Sequence, residues 1–121
     1  MLLLVDDDPH FMEAAEELLD TRGEVFLAGN AEQAKDLMRS VGANFSLVMI
    51  DLELPGQDGF SLIQEMRRNF PDLPVIAISG VVQQSVLESA KLLGAADALR
   101  KPITPDWNVA IAQVRAATAS Q

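Results

Sequence analysis

Cysteine is absent from this chain of 121 residues, so neither a disulfide nor a thiolate metal site can form within it. That absence suits a reducing compartment, and we expect a cytoplasmic protein. Positive charge is also scarce, because 9 Lys and Arg stand against 18 Asp and Glu, giving a formal net charge of −9. A surface this acidic neutralises phosphates poorly, so we expect no direct binding of nucleic acid.

Long hydrophobic runs are missing as well. The first apolar run covers only Met1 to Val5 and is followed by three aspartates. Signal peptides and membrane spans need longer apolar segments, so we expect neither, and no membrane partner. With 49% hydrophobic residues the chain can still bury one substantial core, and its length predicts a single domain over 1–121.

Five short apolar runs predict β-strands, and segments of helical periodicity lie between them. The predicted strands are 2–5, 25–27, 47–50, 75–78 and 96–99. Most of these runs are apolar without alternation, which is typical of a parallel sheet covered by helices on both faces. The sequence therefore predicts a doubly wound α/β fold with (βα)₅ order.

Helix starts and ends are marked by capping residues. Asp8-Pro9, the capping-box-like segment 30–33 and Thr104-Pro105 predict three helix starts, and Gly94 predicts the end of a helix over 83–93. Another helix is expected over 60–70. Apolar faces are predicted at Phe11, Ala14, Ala15, Leu18 and Leu19, at Ala34, Leu37, Met38 and Val41, and at Trp107, Ala110, Ile111 and Val114. For the Ala-rich tail after about residue 116, fraying and continuation into a further segment both stay open.

Polar residues follow the predicted strands. Asp6 and Asp7 follow the first strand, Asp51 the third, Ser79 the fourth, and Lys101 comes just after the fifth. Ligands of open parallel sheets bind outside the carboxyl ends of the strands, so we expect these side chains to converge there.

The expected cluster of Asp6, Asp7 and Asp51 needs a cation, because like charges about 4 Å apart repel by roughly 4 kcal/mol per pair at an effective dielectric of 20. Oxygen ligands without Cys or His suit Mg²⁺. Phosphoryl transfer to a carboxylate depends on positioning the acceptor and neutralising the phosphoryl oxygens. Asp51 as acceptor, with Ser79 and Lys101 as donors to the oxygens, fits that chemistry.

Four ordered segments resemble the receiver family of two-component signalling. They are Leu4-Val5-Asp6-Asp7-Asp8-Pro9, Met49-Ile50-Asp51-Leu52-Glu53-Leu54-Pro55-Gly56-Gln57-Asp58-Gly59, Ile78-Ser79-Gly80 and Arg100-Lys101-Pro102. The resemblance implies a flavodoxin-like, five-stranded parallel sheet of order 2-1-3-4-5. It also implies a cis bond between Lys101 and Pro102.

The resemblance further implies which residues bind metal. Asp7 would be a direct Mg²⁺ ligand and Asp6 a ligand through water. The Asp51 carboxylate and the backbone carbonyl of Glu53 would complete the protein ligands.

For function, the resemblance implies that Asp51 accepts a phosphoryl group from a histidine kinase or a histidine phosphotransfer protein, with Ser79 and Lys101 contacting that group. Such a domain catalyses only its own phosphorylation and dephosphorylation and is not otherwise an enzyme. The surface around strands 4–5 and helices 4–5 would then switch. Val82, Leu87 and Ala98 are candidate contacts there for a phosphorylation-dependent homodimer.

One position departs from the family pattern. Receivers usually carry an aromatic residue three positions before the lysine, where this chain has Ala98. Movement of Ser79 can still reposition the loop after strand four, but no ring can swing inward to fill the space. A phosphorylation-independent interaction domain therefore stays open as an alternative.

Two enzyme or ligand-binding classes are disfavoured. Aspartate-nucleophile phosphohydrolases typically need a second Asp two residues after the nucleophile, whereas this chain has Glu53, and no cap domain is evident. Nucleotide-binding folds carry a glycine-rich phosphate loop after the first strand, and here that place is taken by aspartates.

Overall fold

The computed structural model describes residues 1–19, 25–54, 56, 58–80 and 83–119, except for the side chains of 43 and 119. Its strands are β1 Leu2–Val5, β2 Val25–Ala28, β3 Leu47–Asp51, β4 Val75–Ser79 and β5 Asp97–Arg100. They form one sheet of order β2-β1-β3-β4-β5, and every neighbouring pair is parallel. The predicted doubly wound fold and its strand order are confirmed.

The α-helices within the described residues are α1 Pro9–Leu18, α2 Ala31–Val41, α3 Gly59–Asn69, α4 Gln84–Leu92 and α5 Asp106–Ala119. A short 3₁₀ helix, Gly42–Asn44, follows α2. None of the helices that the structure describes combines the length and apolar character that crossing a membrane would require.

Two of the three predicted helix starts are confirmed by their caps. The Asp8 carboxylate accepts a hydrogen bond from the His10 N–H at 3.0 Å, and the Asn30 side chain accepts one from the Gln33 N–H at 2.9 Å. The reciprocal bond of a capping box is displaced by one residue, because the Gln33 side chain accepts from the Gly29 N–H at 2.7 Å.

α5 differs from its prediction at its start. It begins at Asp106, after a first turn in which the Thr104 carbonyl accepts from the Trp107 N–H at 3.0 Å. It continues to Ala119. The Thr118 hydroxyl donates to the Val114 carbonyl at 3.0 Å within this last stretch.

Two apolar layers cover the sheet, because alternate residues of each strand face opposite sides. The layer under α2, α3 and α4 includes Leu3, Val5, Val48, Ile50 and Ile63. The layer under α1 and α5 includes Leu2, Leu4, Met49, Ile76 and Trp107. The prediction that Leu18 belongs to the core is wrong: α1 presents Phe11 and Ala15 to the sheet, and Leu18 is 56% exposed.

Strands β3 and β4 each end one residue later than predicted, so Asp51 and Ser79 are the last residues of strands. The ladder continues because the Leu52 N–H donates to the Ile78 carbonyl at 2.9 Å and the Lys101 N–H donates to the Ser79 carbonyl at 2.9 Å. The Lys101-Pro102 bond is cis, as expected. The chemically important residues are thus held by the sheet's own hydrogen bonds.

Candidate functional site

Three aspartates meet at the carboxyl end of the sheet. One carboxylate oxygen from each of Asp6, Asp7 and Asp51 lies within 4.8 Å of the others. Asp6 is fully buried and Asp51 is 2% exposed, whereas Asp7 is exposed. This set of oxygen ligands, open to solvent at Asp7, could hold a hard metal ion.

Lys101 brings a positive charge to the same cluster. Its Nζ lies 2.8 Å from Oδ2 of Asp6 and 3.4 Å from Oδ2 of Asp51. The ammonium also lies 4.5 Å from the centroid of the Phe11 ring, a cation–π contact. One cation therefore contacts two buried carboxylates, which leaves the cluster with an excess of negative charge.

The charges of this cluster shift one another's pKa values. Burial raises the pKa of Asp51, and the hydrogen bond from the Glu53 N–H and the charge of Lys101 only partly oppose that shift. Burial likewise raises the pKa of Asp6 against the hydrogen bond from Lys101. For Lys101, burial lowers the pKa, but the hydrogen bond to Asp6 and the charge of Asp51 outweigh it and raise the pKa.

Two backbone features position Asp51. Its Oδ1 accepts a hydrogen bond from the Glu53 N–H at 3.0 Å. The first residue of α3, Gly59, lies so close that a Cβ there would come within 2.3 Å of the Asp51 carbonyl oxygen. In the sequence, Gly59 stood out only as the last residue of the receiver-like segment that begins at Met49, because the close approach of α3 to β3 has no local signature.

Ser79 is fully buried, and its hydroxyl contacts Glu53, whose side chain was not predicted to be part of the site. The hydroxyl lies 3.0 Å from Oε1 and 2.9 Å from Oε2 of Glu53, and the Gly80 N–H donates to Oε1 at 3.0 Å. An acidic residue two positions after Asp51 was the available signal, but sequence alone does not say where its carboxylate points.

The structure thus brings together Asp6, Asp7, Asp51 and Lys101 directly, and links Ser79 to them through Glu53. A strand-ending acid with a cation site and a lysine suits transfer of a phosphoryl group. The family model of the response regulator receiver domain matches residues 2–113. The chain belongs to this family. It is therefore a receiver domain of two-component response regulators.

Relatives agree with this assignment. The chain is 35% identical over 108 residues to the transcriptional regulatory protein AruR of Pseudomonas aeruginosa, covering 86% of this chain and 44% of AruR. It is 33% identical over 106 residues to the C4-dicarboxylate transport transcriptional regulatory protein DctD of the same organism, covering 87% of this chain and 22% of DctD. The chain thus spans less than half the length of these two relatives.

Solved structures agree in fold. The receiver domain of NtrX from Brucella abortus superposes with a TM-score of 0.85 at 30% identity, covering 98% of this chain and 99% of that domain. A CheY-like receiver domain protein from Methanospirillum hungatei, at 23% identity, superposes with a TM-score of 0.86 and coverage of 98% and 95%. At that identity the second comparison supports the fold alone.

The apolar contacts predicted on the surface around β4, α4, β5 and α5 differ in exposure from what we expected. Leu87 is 5% exposed and packs inside, so the hypothesis that it is a surface contact is wrong. Val82 lies outside the described residues, and Ala98 is half-buried in β5 beside Ala77. Among the described residues of this surface, Leu92 of α4 is 87% exposed and Val109 of α5 is 56% exposed.

Proposed function

We propose that this receiver domain accepts a phosphoryl group on Asp51 from a phosphohistidine donor, and that the modification switches a protein-binding surface. One observation carries the proposal. The Asp51 carboxylate is buried at the end of β3, beside the ammonium of Lys101 and the carboxylates of Asp6 and Asp7. Burial of a carboxylate next to other carboxylates opposes folding, so a role in stability gives no reason for it.

In the proposed reaction, a carboxylate oxygen of Asp51 attacks the phosphorus of the donor. An O–P bond forms while the P–N bond of phosphohistidine breaks, and its electron pair stays on the imidazole nitrogen. The imidazole leaves neutral when its other ring nitrogen carries the proton. With acetyl phosphate as donor, the P–O bond breaks instead and acetate leaves with the electron pair. Either reaction yields an acyl phosphate on Asp51.

Mg²⁺ fits the site, because its ligand set is made of oxygens without Cys or His. The proposed ligands are the carboxylates of Asp7 and Asp51, the backbone carbonyl of Glu53, and Asp6 through water. When bound, Mg²⁺ supplies positive charge that neutralises the oxygens of the transferred group.

Lys101 and Ser79 are proposed to stabilise the phosphoryl oxygens. Lys101 already contacts both Asp6 and Asp51, so a small movement of its ammonium reaches an oxygen on the new group. Ser79 supplies a hydroxyl donor from the end of β4. Both residues are positioned by the ends of strands, and positioning of such donors is a main protein contribution to phosphoryl transfer.

The proposed output surface comprises β4, α4, β5 and α5. Lys101 and Ser79 are joined through the backbone at 2.9 Å, and the Arg100 guanidinium donates to the Gln84 side chain of α4 at 2.9 Å. These contacts connect the site to β5 and α4. Phosphorylation would bias two conformations of this surface and thereby the binding of a reader protein or a second copy of the chain.

In this proposal residues 1–121 form one receiver domain, which turns over no separate substrate and acts in the cytoplasm. Its donor is a histidine kinase or a histidine phosphotransfer protein.

The test is phosphorylation by acetyl phosphate, followed by intact mass with and without Mg²⁺. Asp51→Asn is the variant expected to lose the phosphate adduct. Asp72→Asn is the matched control, because Asp72 is an exposed aspartate in the turn before β4, at the opposite end of the sheet. We expect a Mg²⁺-dependent adduct in the wild type and the control.

An adduct that persists in Asp51→Asn would reject Asp51 as the acceptor. A folded wild-type protein that binds Mg²⁺ but forms no adduct would reject phosphorylation. It would favour the phosphorylation-independent interaction domain that Ala98 left open.

A further inference from the structure

The Glu53 carboxylate crosses from the end of β3 to the end of β4. Both of its oxygens lie within 3.0 Å of the Ser79 hydroxyl, and Oε1 also accepts from the Gly80 N–H at 3.0 Å. The backbone N–H of Glu53 donates to Asp51 Oδ1 at 3.0 Å, so the Glu53 side chain extends from a position beside the proposed acceptor. A charged group thus occupies two neighbouring donors next to Asp51.

These two donors form an anion-binding pair. A hydroxyl and a backbone N–H on consecutive residues can donate to the oxygens of one anionic group, and hydrogen bonds to charged acceptors are stronger than those to neutral ones. Ser79 is fully buried, so its hydroxyl depends on a nearby acceptor. In the present structure the Glu53 carboxylate provides such an acceptor.

Asp51 lies opposite Ile78 in the sheet, so a phosphoryl group that extends from Asp51 past the strand end would lie beside the donors of Ser79 and Gly80. Its oxygens carry nearly two negative charges, and a third charge on the Glu53 carboxylate at the same donors would be repelled. Glu53 is an exposed residue, so its carboxylate can rotate into water when it leaves. The two anions therefore compete for one binding place.

We infer that Glu53 is an internal competitor for the phosphoryl group: its carboxylate occupies the Ser79 and Gly80 donors in the unphosphorylated protein and leaves them when Asp51 is phosphorylated. This inference rests on the proposed function of Asp51. It makes Glu53 a positioning residue that slows phosphorylation. It also links the side chain after β3 to Gly80, the residue that follows β4.

Three substitutions of Glu53 distinguish occupation of the Ser79 and Gly80 donors from repulsion by the negative charge alone. Glu53→Ala removes the carboxylate. Glu53→Asp keeps the charge but is one methylene shorter and loses reach to Ser79. Glu53→Gln keeps the length and one acceptor oxygen without the charge. If occupation matters, the Ala and Asp variants behave alike, and Gln lies between them and the wild type.

The experiment measures the initial rate of adduct formation with acetyl phosphate and Mg²⁺ by intact mass, with Asp51→Asn as the blank. We expect the Ala and Asp variants to label about tenfold faster than the wild type, which corresponds to about 1.4 kcal/mol. A second readout needs neither metal nor donor: the Gly80 amide resonance in a ¹H–¹⁵N spectrum, which should shift in both variants because its carboxylate acceptor is lost.

The outcomes are distinguishable. Wild-type rates in both variants, or an unmoved Gly80 resonance, would overturn the inference while leaving Asp51 as the acceptor. A fast Ala variant with a slow Asp variant would also overturn it, in favour of charge repulsion alone. If neither the wild type nor any Glu53 variant is labelled, the proposed function fails and the inference fails with it.

Discussion

The interior of the three central strands and the carboxyl ends of the same strands are equally buried but chemically opposite. Residues such as Leu4, Ile50 and Ile78 are fully buried and apolar, so burial stabilises the fold. Asp6 and Asp51 are buried at the strand ends, where burial raises the pKa values of both carboxyls. The apolar layers therefore stabilise the fold and also hold the charged groups of the site in an unfavourable environment.

The largest expected effect comes from the interior. Ile50→Ala removes a fully buried side chain next to Asp51 and should lower the free energy of unfolding by about 2–5 kcal/mol through lost burial and a cavity. Urea denaturation measures this loss. The folded variant should still be phosphorylated, since Ile50 carries none of the proposed chemistry. A loss below about 1 kcal/mol would contradict the assignment of β3 to the core.

The second-largest loss of stability is expected at Gly59, where α3 packs against the backbone of Asp51 at the edge of the site. Gly59→Ala places a methyl group 2.3 Å from the Asp51 carbonyl oxygen, so α3 or β3 must shift. We expect a loss of about 1–3 kcal/mol and slower phosphorylation, because Asp51 moves with its backbone. Gly29→Ala is the matched control, since its nearest contact would be 3.4 Å from the flexible Gln33 side chain. Equal stability of the two variants would argue against the close packing of α3.

At the carboxyl end of β3, a substitution is expected to stabilise the protein instead of destabilising it. Asp51→Asn should abolish phosphorylation yet raise the free energy of unfolding by about 1 kcal/mol, because it removes a buried charge while Lys101 keeps its ion pair with Asp6. Thermal denaturation in the presence of a chelator measures the change, with Asp72→Asn as the control for an exposed carboxylate. A less stable Asp51→Asn protein would contradict the claim that the buried charge of Asp51 opposes folding.

The stabilisation expected for Asp51→Asn should depend on pH in a defined direction. The pKa of Asp51 is raised in the folded protein, so the folded state holds the proton more tightly than the unfolded state does. The contribution of Asp51 to the free energy of unfolding of the wild type therefore falls as the pH rises from the ordinary pKa of a carboxyl group toward neutrality. The stability difference between Asp51→Asn and the wild type should widen over that range, and should close again on acidification.

The smallest effect is expected at the surface between two helices. The Lys35 ammonium of α2 lies 3.2 Å from the Glu65 carboxylate of α3, and both side chains are partly exposed to solvent. Glu65→Gln should change the free energy of unfolding by less than about 1 kcal/mol, because solvent screens such pairs. Urea denaturation at low and high salt measures it. A larger, salt-independent loss would mean that α2 and α3 depend on this ion pair.

Much of the fold could be predicted because its signals are local. The fully apolar runs of β1, β3 and β4, the Asp8 and Asn30 caps and the glycine after α4 each indicate a backbone state from a few residues. The order of strands in the sheet came from the resemblance to receivers, since periodicity within a strand carries no information about its neighbours. Leu18 and Leu87 were placed wrongly because the apolar pattern alone did not settle how each helix turns against the sheet.

The chemical content of the site could be predicted from local sequence: aspartates at the ends of two strands, with a serine and a lysine at the ends of two others, all of which parallel strands bring to one edge. The participation of Glu53 and Gly59 depends instead on tertiary packing. The Glu53 carboxylate contacts Ser79 and Gly80, 26 and 27 residues away, and Gly59 is needed because α3 approaches the backbone of Asp51. Such contacts depend on the distance between packed elements, which no local pattern of residues encodes.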